Sequence, residues 1–333
     1  MNIVVLAGGL SMERDVSLAS GSLIANALCK AGHKAVLVDL YYGIEKEDMN
    51  FDSDFGEYKH QIPEIAPDLK QIVKENGGRE NPIGENVVDF CKMADVTFLA
   101  LHGGVGENGK LQALLEMNGV RFTGSSSVGC MLSMDKIISK ELIANGGIPT
   151  AKWLTNKDDK KDFKSLIPCF VKPADNGSSV GVTKVVSEKE LEEALFEAEK
   201  FSQNVLIEEQ VVGREFSVGV LDGKALPPIE IITNGEFYDY KVKYQAGLAH
   251  EICPAQLSDE LTQRLQEYAE RAHRILRLGS YSRIDFILDK SDEFFFLEAN
   301  ALPGMTPTSL LPQEAAANGM NYTELCLKLI ELA

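Results

Sequence analysis

Arg283, Asp285, Glu298 and Asn300 are the residues of this chain whose types and spacing could do chemistry together. They lie in RIDFILDKSDEFFFLEAN, where two runs rich in Ile and Phe flank a polar break at Asp289 to Glu293, a pattern that predicts an antiparallel hairpin. With the turn centred between Ser291 and Asp292, facing residue numbers keep a constant sum. Arg283 then faces Asn300 and Asp285 faces Glu298. Strand alternation puts these four on one surface and Ile284, Phe286, Leu297 and Ala299 on the other. Two carboxylates beside an amide oxygen are hard ligands that suit Mg²⁺ shared with substrate phosphates. Arg283 could hold the charge that develops on a transferring phosphoryl group. A salt-bridged, solvated sheet face reads the same residues, but a Phe-rich strand ending in Glu-Ala-Asn and then Pro-Gly favours the metal.

A lysine supplies the second candidate. In IPCFVKPADNGSSVGVTKV, Lys172 interrupts an apolar strand just ahead of a Gly-Ser-Ser loop. Burying an ammonium is costly unless an anion partners it, and the glycine-rich loop offers amides beside it, so the pair reads as a phosphate site. It is not the Walker type, which requires GxxxxGK followed by Ser or Thr in front of a helix. Other acids and bases are open to plainer readings. Glu13 follows a glycine turn at a helix start, where an acid meets the helix dipole and could serve as a cap. His102 ends a strand at the carboxyl edge of the sheet, where open α/β proteins place ligands, although a lone histidine is usually structural. Lys136 reads as a surface lysine on an amphipathic helix, and Glu208 and Glu209 as exposed acids between strands.

The elements that must position these groups follow in order. IVVLAGGLSMERDVSLASGSLIANALCKAGHKAVLVDL reads as strand, glycine turn, helix and strand, the opening of a parallel α/β domain. Its turn, Gly8-Gly9-Leu10-Ser11, lacks the GxGxxG spacing of a dinucleotide site. Tyr41 to Lys92 is polar and acidic, with one amphipathic helix around PDLKQIVKENG, and reads as a peripheral insertion. VTFLALHGGVGENGKLQALLEMNG repeats strand, glycine loop and helix. The small-residue stretch Gly124 to Ser127 marks a boundary. Beyond it, VLIEEQVVGREFSVGVLDG supplies two strands and NGEFYDYKVKYQAGLAHEICP suits a lid loop. QRLQEYAERAHRILRLG is an amphipathic helix whose basic residues, His273 among them, read as a solvated face.

A chain of 333 residues can bury a large core and divide into two or three domains. The net charge of −17 argues against sequence-independent nucleic-acid binding, so an anionic ligand must be held by local lysines and backbone amides. Six scattered cysteines without CxxC spacing read as reduced, mostly buried thiols of a cytosolic protein. The first strand leaves no room for a signal peptide, and no apolar run approaches membrane-spanning length, so no membrane association and a cytoplasmic location are expected.

The hairpin resembles the metal-binding strands of the ATP-grasp enzymes. GGLSMERDVSLASG, HGGVGENG, FVKPADNGSSVGVTKV, YDYKVKY and PGMTPTSL resemble the D-alanine-D-alanine ligase family and occur in its order. The resemblance implies an α/β fold, α+β in its ATP-grasp part, with three domains. These are an N-terminal parallel α/β domain over 1–124 with an insertion at about 41–92, a central subdomain over 125–212, and a C-terminal subdomain over 213–333. The last carries a substrate lid at 234–255 and the metal hairpin at 283–300.

The same likeness implies ATP-dependent joining of two D-alanines through a D-alanyl phosphate, for peptidoglycan precursors, with two Mg²⁺ ions (Mn²⁺ as a substitute) and a homodimer. By resemblance, Glu13 binds the first D-alanine's ammonium and His102 approaches the reacting carboxylate or acyl phosphate. Lys136 and Lys172 reach the nucleotide phosphates, and Ser178 and Ser179 belong to the closing loop. Backbone groups from Glu208 through Glu209 to Val211 contact adenine, and Glu215 holds the ribose. Lys243 meets the γ-phosphate or the second substrate's carboxylate, and Tyr244 bonds towards Glu13 and Ser178. Asp285, Glu298 and Asn300 hold the metal, while Arg283 and the Gly304 amide stabilise the tetrahedral intermediate. Ser309 anchors the second carboxylate and Leu310 walls its methyl group. Asn108 stands where many members carry Asp, a departure that touches only a supporting contact. A D-lactate or D-serine ligase, another ATP-grasp carboxylate-amine ligase and a non-catalytic ATP-binding regulator are the alternatives, with Tyr244 and Leu310 favouring D-alanine.

Overall fold

The computed structural model describes residues 1–53, 56–63, 65, 67–177, 180–233 and 249–333. Ser178, Ser179, Lys243 and Tyr244 lie outside the described residues, as does most of the expected lid. The chain divides into two compact units, one of Met1–Cys130, Leu278–Ser282 and Ala301–Ala333, the other of Met131–Arg277 and Arg283–Asn300.

In the first unit, Ile3, Val4, Val5 and Leu6 are all fully buried, the continuous apolar run of a parallel strand covered on both faces. They belong to β1 (Asn2–Ala7), which leads through Gly8 and Gly9 into α1 (Arg14–Lys30) and on to β2 (Lys34–Asp39). With β3 (Val96–Leu99) these form a parallel sheet, as the sequence predicts, in the order β2-β1-β3. Gly21 lets α1 approach this sheet closely, since a Cβ there would come within 2.6 Å of the Ala7 Cβ.

The expected peripheral insertion is more integrated than its polarity suggests. Its helix α2 (Leu69–Glu75) is present and exposed, capped by Asp68, whose side chain accepts from the Gln71 amide at 3.0 Å. Its two ends, however, enter the core. Tyr41 is fully buried, and Val87, Phe90 and Cys91 are buried on α3 (Val87–Met93). Averaged polarity conceals these sparse apolar anchors.

The second unit holds two antiparallel sheets. The first is ordered β4-β7-β5-β6, from β4 (Trp153–Thr155), β5 (Cys169–Pro173), β6 (Thr183–Val185) and β7 (Val205–Glu209). Cys169, Val171, Val205 and Ile207 form a common core with Leu191, Ala194 and Leu195 of the helix Glu188–Glu199. Alternation then assigns Phe170, Lys172 and Glu208 to the opposite face. The second sheet contains β8 (Gly213–Leu221), β10 (Ile229–Thr233), β11 (Ala249–Ile252), β12 (Tyr281–Asp289) and β13 (Phe294–Asn300), in the order β11-β10-β8-β12-β13, with the short β9 (Lys224–Ala225) paired to β8. Beside it the helix Asp259–Ile275 buries His273 rather than presenting it to solvent, because His273 follows Leu265, Ala269 and Ala272 onto the inner face.

The β12–β13 hairpin forms with one change of register. Arg283 pairs with Asn300, Ile284 with Ala299 and Asp285 with Glu298, as the constant sum requires. Beyond a bulge between Asp285 and Phe286, Phe286 pairs with Phe296 and Leu288 with Phe294. The turn is therefore centred on Ser291, one half-step from the expected position. Leu297 is half-buried instead of sharing the core face with Phe286, and fully buried Phe286 and nearly buried Phe296 meet edge to face at 6.1 Å.

All six cysteines are free thiols; Cys91, Cys130, Cys169 and Cys326 are buried, Cys253 is half-buried and Cys29 is exposed. Burial pushes the Cys91, Cys130 and Cys326 thiols up to about 12, which leaves them unreactive. Among the described residues no helix is long and apolar enough to cross a membrane.

Candidate active site

Lys172 is buried, and its partner is a carboxylate of the protein itself. Its ammonium pairs with Glu208 Oε2, while Glu208 Oε1 pairs with Lys140. Glu208 is thus not an exposed acid between strands but a buried anion between two cations. Burial opposes ionisation of Glu208, yet Lys172 and Lys140 outweigh it and hold the carboxyl below the usual range. Burial also lowers the Lys140 ammonium, against the pull of Glu208. Lys136 opens the helix Lys136–Asn145, whose N-cap Asp135 accepts from the Ile137 and Ile138 amides. The Lys136 ammonium donates to the Asn176 carbonyl at 2.6 Å, and its backbone amide to Ala174 O at 2.9 Å. Lys136 and Lys172 therefore flank the stretch that leads into the Gly-Ser-Ser loop.

A narrow cleft of about 30 Å³ opens on the same side, lined by Phe170, Glu208, Glu209, Val211, Phe296 and Leu297 among others. Its apolar walls beside two carboxylates have the chemistry to face a flat heteroaromatic group once the slot widens. The bulged Leu297 contributes to this wall. Glu215, on β8, is half-buried.

On the hairpin, β8 lies beside β12 and brings Ser217 to Asp285. Ser217 Oγ donates to Asp285 Oδ1 at 2.7 Å, and Arg283 grips both carboxylate oxygens, Nε to Oδ1 at 3.0 Å and Nη2 to Oδ2 at 2.8 Å. Asn300 Nδ2 adds a bond to Oδ2 at 3.1 Å. A carboxylate offers about four lone-pair sites, so these bonds account for all of them. Among the described residues no three His, Cys, Asp or Glu side chains converge. Magnesium bound jointly with phosphates needs only one or two carboxylates and water, and Asp285 stands directly across the ladder from Glu298. The donor set fits Mg²⁺, provided that Arg283 or Asn300 releases Asp285 Oδ2 while Ser217 keeps its hold on Oδ1.

In the first unit the two glycine loops meet. A Cβ added at Gly103 would stand 2.8 Å from Ser11 Oγ and 3.4 Å from Glu13 Oε2. Glu13 occupies the N-cap position of α1 but makes no side-chain capping bond, so a cap does not account for it, while its charge still meets the helix dipole. His102 is buried three residues beyond the end of β3. Ser309 precedes the helix Leu310–Ala317 without capping it, and its hydroxyl bonds the Thr306 amide at 3.1 Å and Thr306 Oγ1 at 2.8 Å. Gly304 packs against it, for a Cβ there would meet Ser309 Oγ at 2.8 Å. Leu310 is buried.

Sequence reasoning missed Lys140, Thr150 and Ser217. Lys140 carried a usable signal: it follows Lys136 by one helical turn, with Ile137 and Ile143 three residues to either side on the same helix face. Ser217 is a polar residue inside an apolar strand. Thr150 offered no comparable mark.

The description "D-ala D-ala ligase N-terminus" matches residues 2–125, and "D-ala D-ala ligase C-terminus" matches 142–331. A D-alanine–D-alanine ligase of Pediococcus pentosaceus is 40% identical over 99% of this chain and 97% of its own length. That of Lawsonia intracellularis is 40% identical over 100% of this chain and 98% of its own. Among solved structures, the Bacillus anthracis D-alanine–D-alanine ligase complexed with ATP is similar at TM-score 0.77 and 30% identity, covering 100% of this chain and 96% of that one. A D-Ala:D-Ser ligase from Enterococcus faecalis matches at TM-score 0.78 and 27% identity, covering 100% and 99%.

Proposed function

The chain belongs to the D-alanine–D-alanine ligase family, and from that premise we propose that it joins two D-alanines with cleavage of ATP to ADP and phosphate, for peptidoglycan precursors. The observation that carries the reading is the hairpin face, where Asp285 stands opposite Glu298 and Asn300 opposite Arg283. A free carboxylate is a poor acylating agent. The first D-alanine's carboxylate oxygen therefore attacks the γ-phosphorus of ATP, the bond to ADP breaks, and D-alanyl phosphate forms. The second D-alanine's amine, having lost its ammonium proton, attacks the carbonyl carbon, and the tetrahedral adduct expels phosphate, which carries off the second nitrogen-bound proton. Both steps rest on positioning and charge stabilisation, and no protein nucleophile is required.

The residues assigned to this chemistry divide between the two units. In the second, Lys136 and Lys172 hold phosphates, the cleft at Glu208 to Val211 takes adenine, and Glu215 takes the ribose. Asp285, Glu298 and Asn300 would hold two Mg²⁺ ions, which supply charge neutralisation at the phosphates; the same hard donors accept Mn²⁺. Arg283 offsets charge at the reacting centre. In the first unit, Glu13 receives the first D-alanine's ammonium, His102 its carboxylate end, the Gly304 amide the oxyanion, and Ser309 the second carboxylate. Ser178, Ser179, Lys243 and Tyr244 complete the reading as the parts that exclude water from the acyl phosphate. The three-domain division, a cytoplasmic location and a homodimer belong to the same proposal, the last checked by sedimentation.

The test is phosphate release with ATP and Mg²⁺, supplied in turn with D-alanine, L-alanine, and D-alanine plus D-lactate or D-serine. Turnover with D-alanine alone, and none with L-alanine, is expected; ATP binding without turnover would make the protein a regulator. The D-Ala:D-Ser ligase matches the fold as well as the D-alanine enzyme does, so backbone likeness does not choose the second substrate. The apolar Leu310 suits a methyl group, but an apolar wall rejects an added hydroxyl by only about a hundredfold.

A further inference from the structure

Lys140 takes part in none of the steps above, yet it is 1% exposed and among the largest fully buried side chains. Its ammonium bonds Thr150 Oγ1 at 2.5 Å and Glu208 Oε1, and lies 5.2 Å from the centroid of the Trp153 ring. Thr150 Oγ1 donates in turn to the Phe296 carbonyl at 2.9 Å. A polar chain therefore runs from Lys172 through Glu208, Lys140 and Thr150 to the backbone of β13. Glu208 and Phe296, on different sheets, both line the cleft.

Two cations on one buried carboxylate are more than neutrality requires. The surplus has a use if one of them must leave. Lys172, at 8% exposure, retains a path to solvent, whereas Lys140 does not. A Lys172 that turns to a phosphate would abandon Glu208 as a buried anion, which is strongly disfavoured unless another partner remains. Building on the nucleotide site assigned above, we propose that Lys140 is a positioning residue. It keeps the buried Glu208 carboxylate paired and fixed at the cleft floor while Lys172 exchanges that carboxylate for a nucleotide phosphate.

The test is a double-mutant cycle read by calorimetric titration with ATP and Mg²⁺, alongside steady-state KM values. Lys140→Met should raise the Kd for ATP by about tenfold or more while changing the KM for D-alanine less than about twofold, because only the nucleotide side depends on Glu208 staying paired. In a Glu208→Gln background the same replacement should shift Kd by less than about threefold, since no buried carboxylate is left to strand. Equal shifts in both backgrounds would overturn the proposal, as would a parallel loss in the ATP and D-alanine parameters. Thr150→Val, nearly isosteric, tests the same chain should Lys140→Met fail to fold. It is expected to raise the ATP Kd about threefold in the wild-type background alone, and an unchanged Kd counts against the idea. A wild-type protein that does not bind ATP would remove the nucleotide reading itself, and this proposal with it. Binding with an additive cycle would remove the Lys140 role only.

Discussion

Ser217→Ala is the sharpest test of the hairpin. Ser217 is fully buried, Asp285 is 4% exposed, and the hydroxyl donates to Oδ1 at 2.7 Å. A hydrogen bond to a charged group contributes about 1.5–3 kcal/mol, and here no water can take the place of the lost hydroxyl. If Asp285 is a metal ligand, Ser217 fixes its orientation, and loss of such a supporting bond lowers metal affinity roughly tenfold to a hundredfold. The two ranges agree, since about 1.4 kcal/mol corresponds to tenfold. The assay is a Mg²⁺ titration of phosphate release at saturating ATP and D-alanine, with thermal melting in parallel. The expected result is a half-saturating Mg²⁺ concentration raised by ten- to a hundredfold, with activity largely restored at high Mg²⁺ and a melting point lower by a few degrees. A lowered melting point with a superimposable Mg²⁺ curve would mean that Ser217 only packs the sheet, and that Asp285 does not bind the ion.

Three further outcomes follow from the same geometry. Glu208 ionises below the ordinary glutamate range, about 4.3, so the unfolded chain takes up its proton first as pH falls, and the pair's stabilisation is lost through the native pKa. Glu208→Gln should therefore flatten the acid limb of stability against pH, measured as urea midpoints; an unchanged limb would show that Glu208 does not titrate this way. Gly304→Ala places a methyl group 2.8 Å from Ser309 Oγ and should raise the second D-alanine's KM by about tenfold while sparing the KM for ATP, and equal effects on both would refute the assignment. Tyr244→Phe should increase phosphate released per dipeptide formed, because a less closed site admits water to the acyl phosphate; an unaltered ratio counts against the lid role.

What the sequence made legible was whatever periodicity controls. The parallel opening of the first unit follows from an unbroken apolar strand, a glycine turn and a helix, and it is present. The hairpin pairs nearest the chemistry were readable because a constant sum holds from Arg283 to Asp285. The bulge was not readable, since Phe and Leu at adjacent positions satisfy either register and only packing decides between them. The ends of the 41–92 segment escaped for a related reason: Tyr41 and Phe90 are single anchors without a period. Glu208 shows the opposite limit. Two adjacent glutamates at a strand end suggest solvent, and only the fold reveals the two lysines that turn one of them into a buried anion.

At the nucleotide site proposed above, that buried anion would explain how a chain of net charge −17 keeps cations ready for a polyphosphate. Lys172 is held by Glu208 and Arg283 by Asp285, so neither is buried without a counter-charge before a ligand arrives. Binding a phosphate then exchanges one anionic partner for another, and the electrostatic gain is a difference between two pairings, far smaller than that of an isolated ion pair. Affinity has to come largely from elsewhere. The apolar walls of the cleft, Phe170, Val211 and Leu297, can provide it for the base, while the paired cations set where the phosphates lie. A truncated ligand carrying phosphates without the base should accordingly bind far more weakly than the full nucleotide. Comparable Kd values for triphosphate and ATP, measured by the same titration, would show that the lysines and not the cleft dominate.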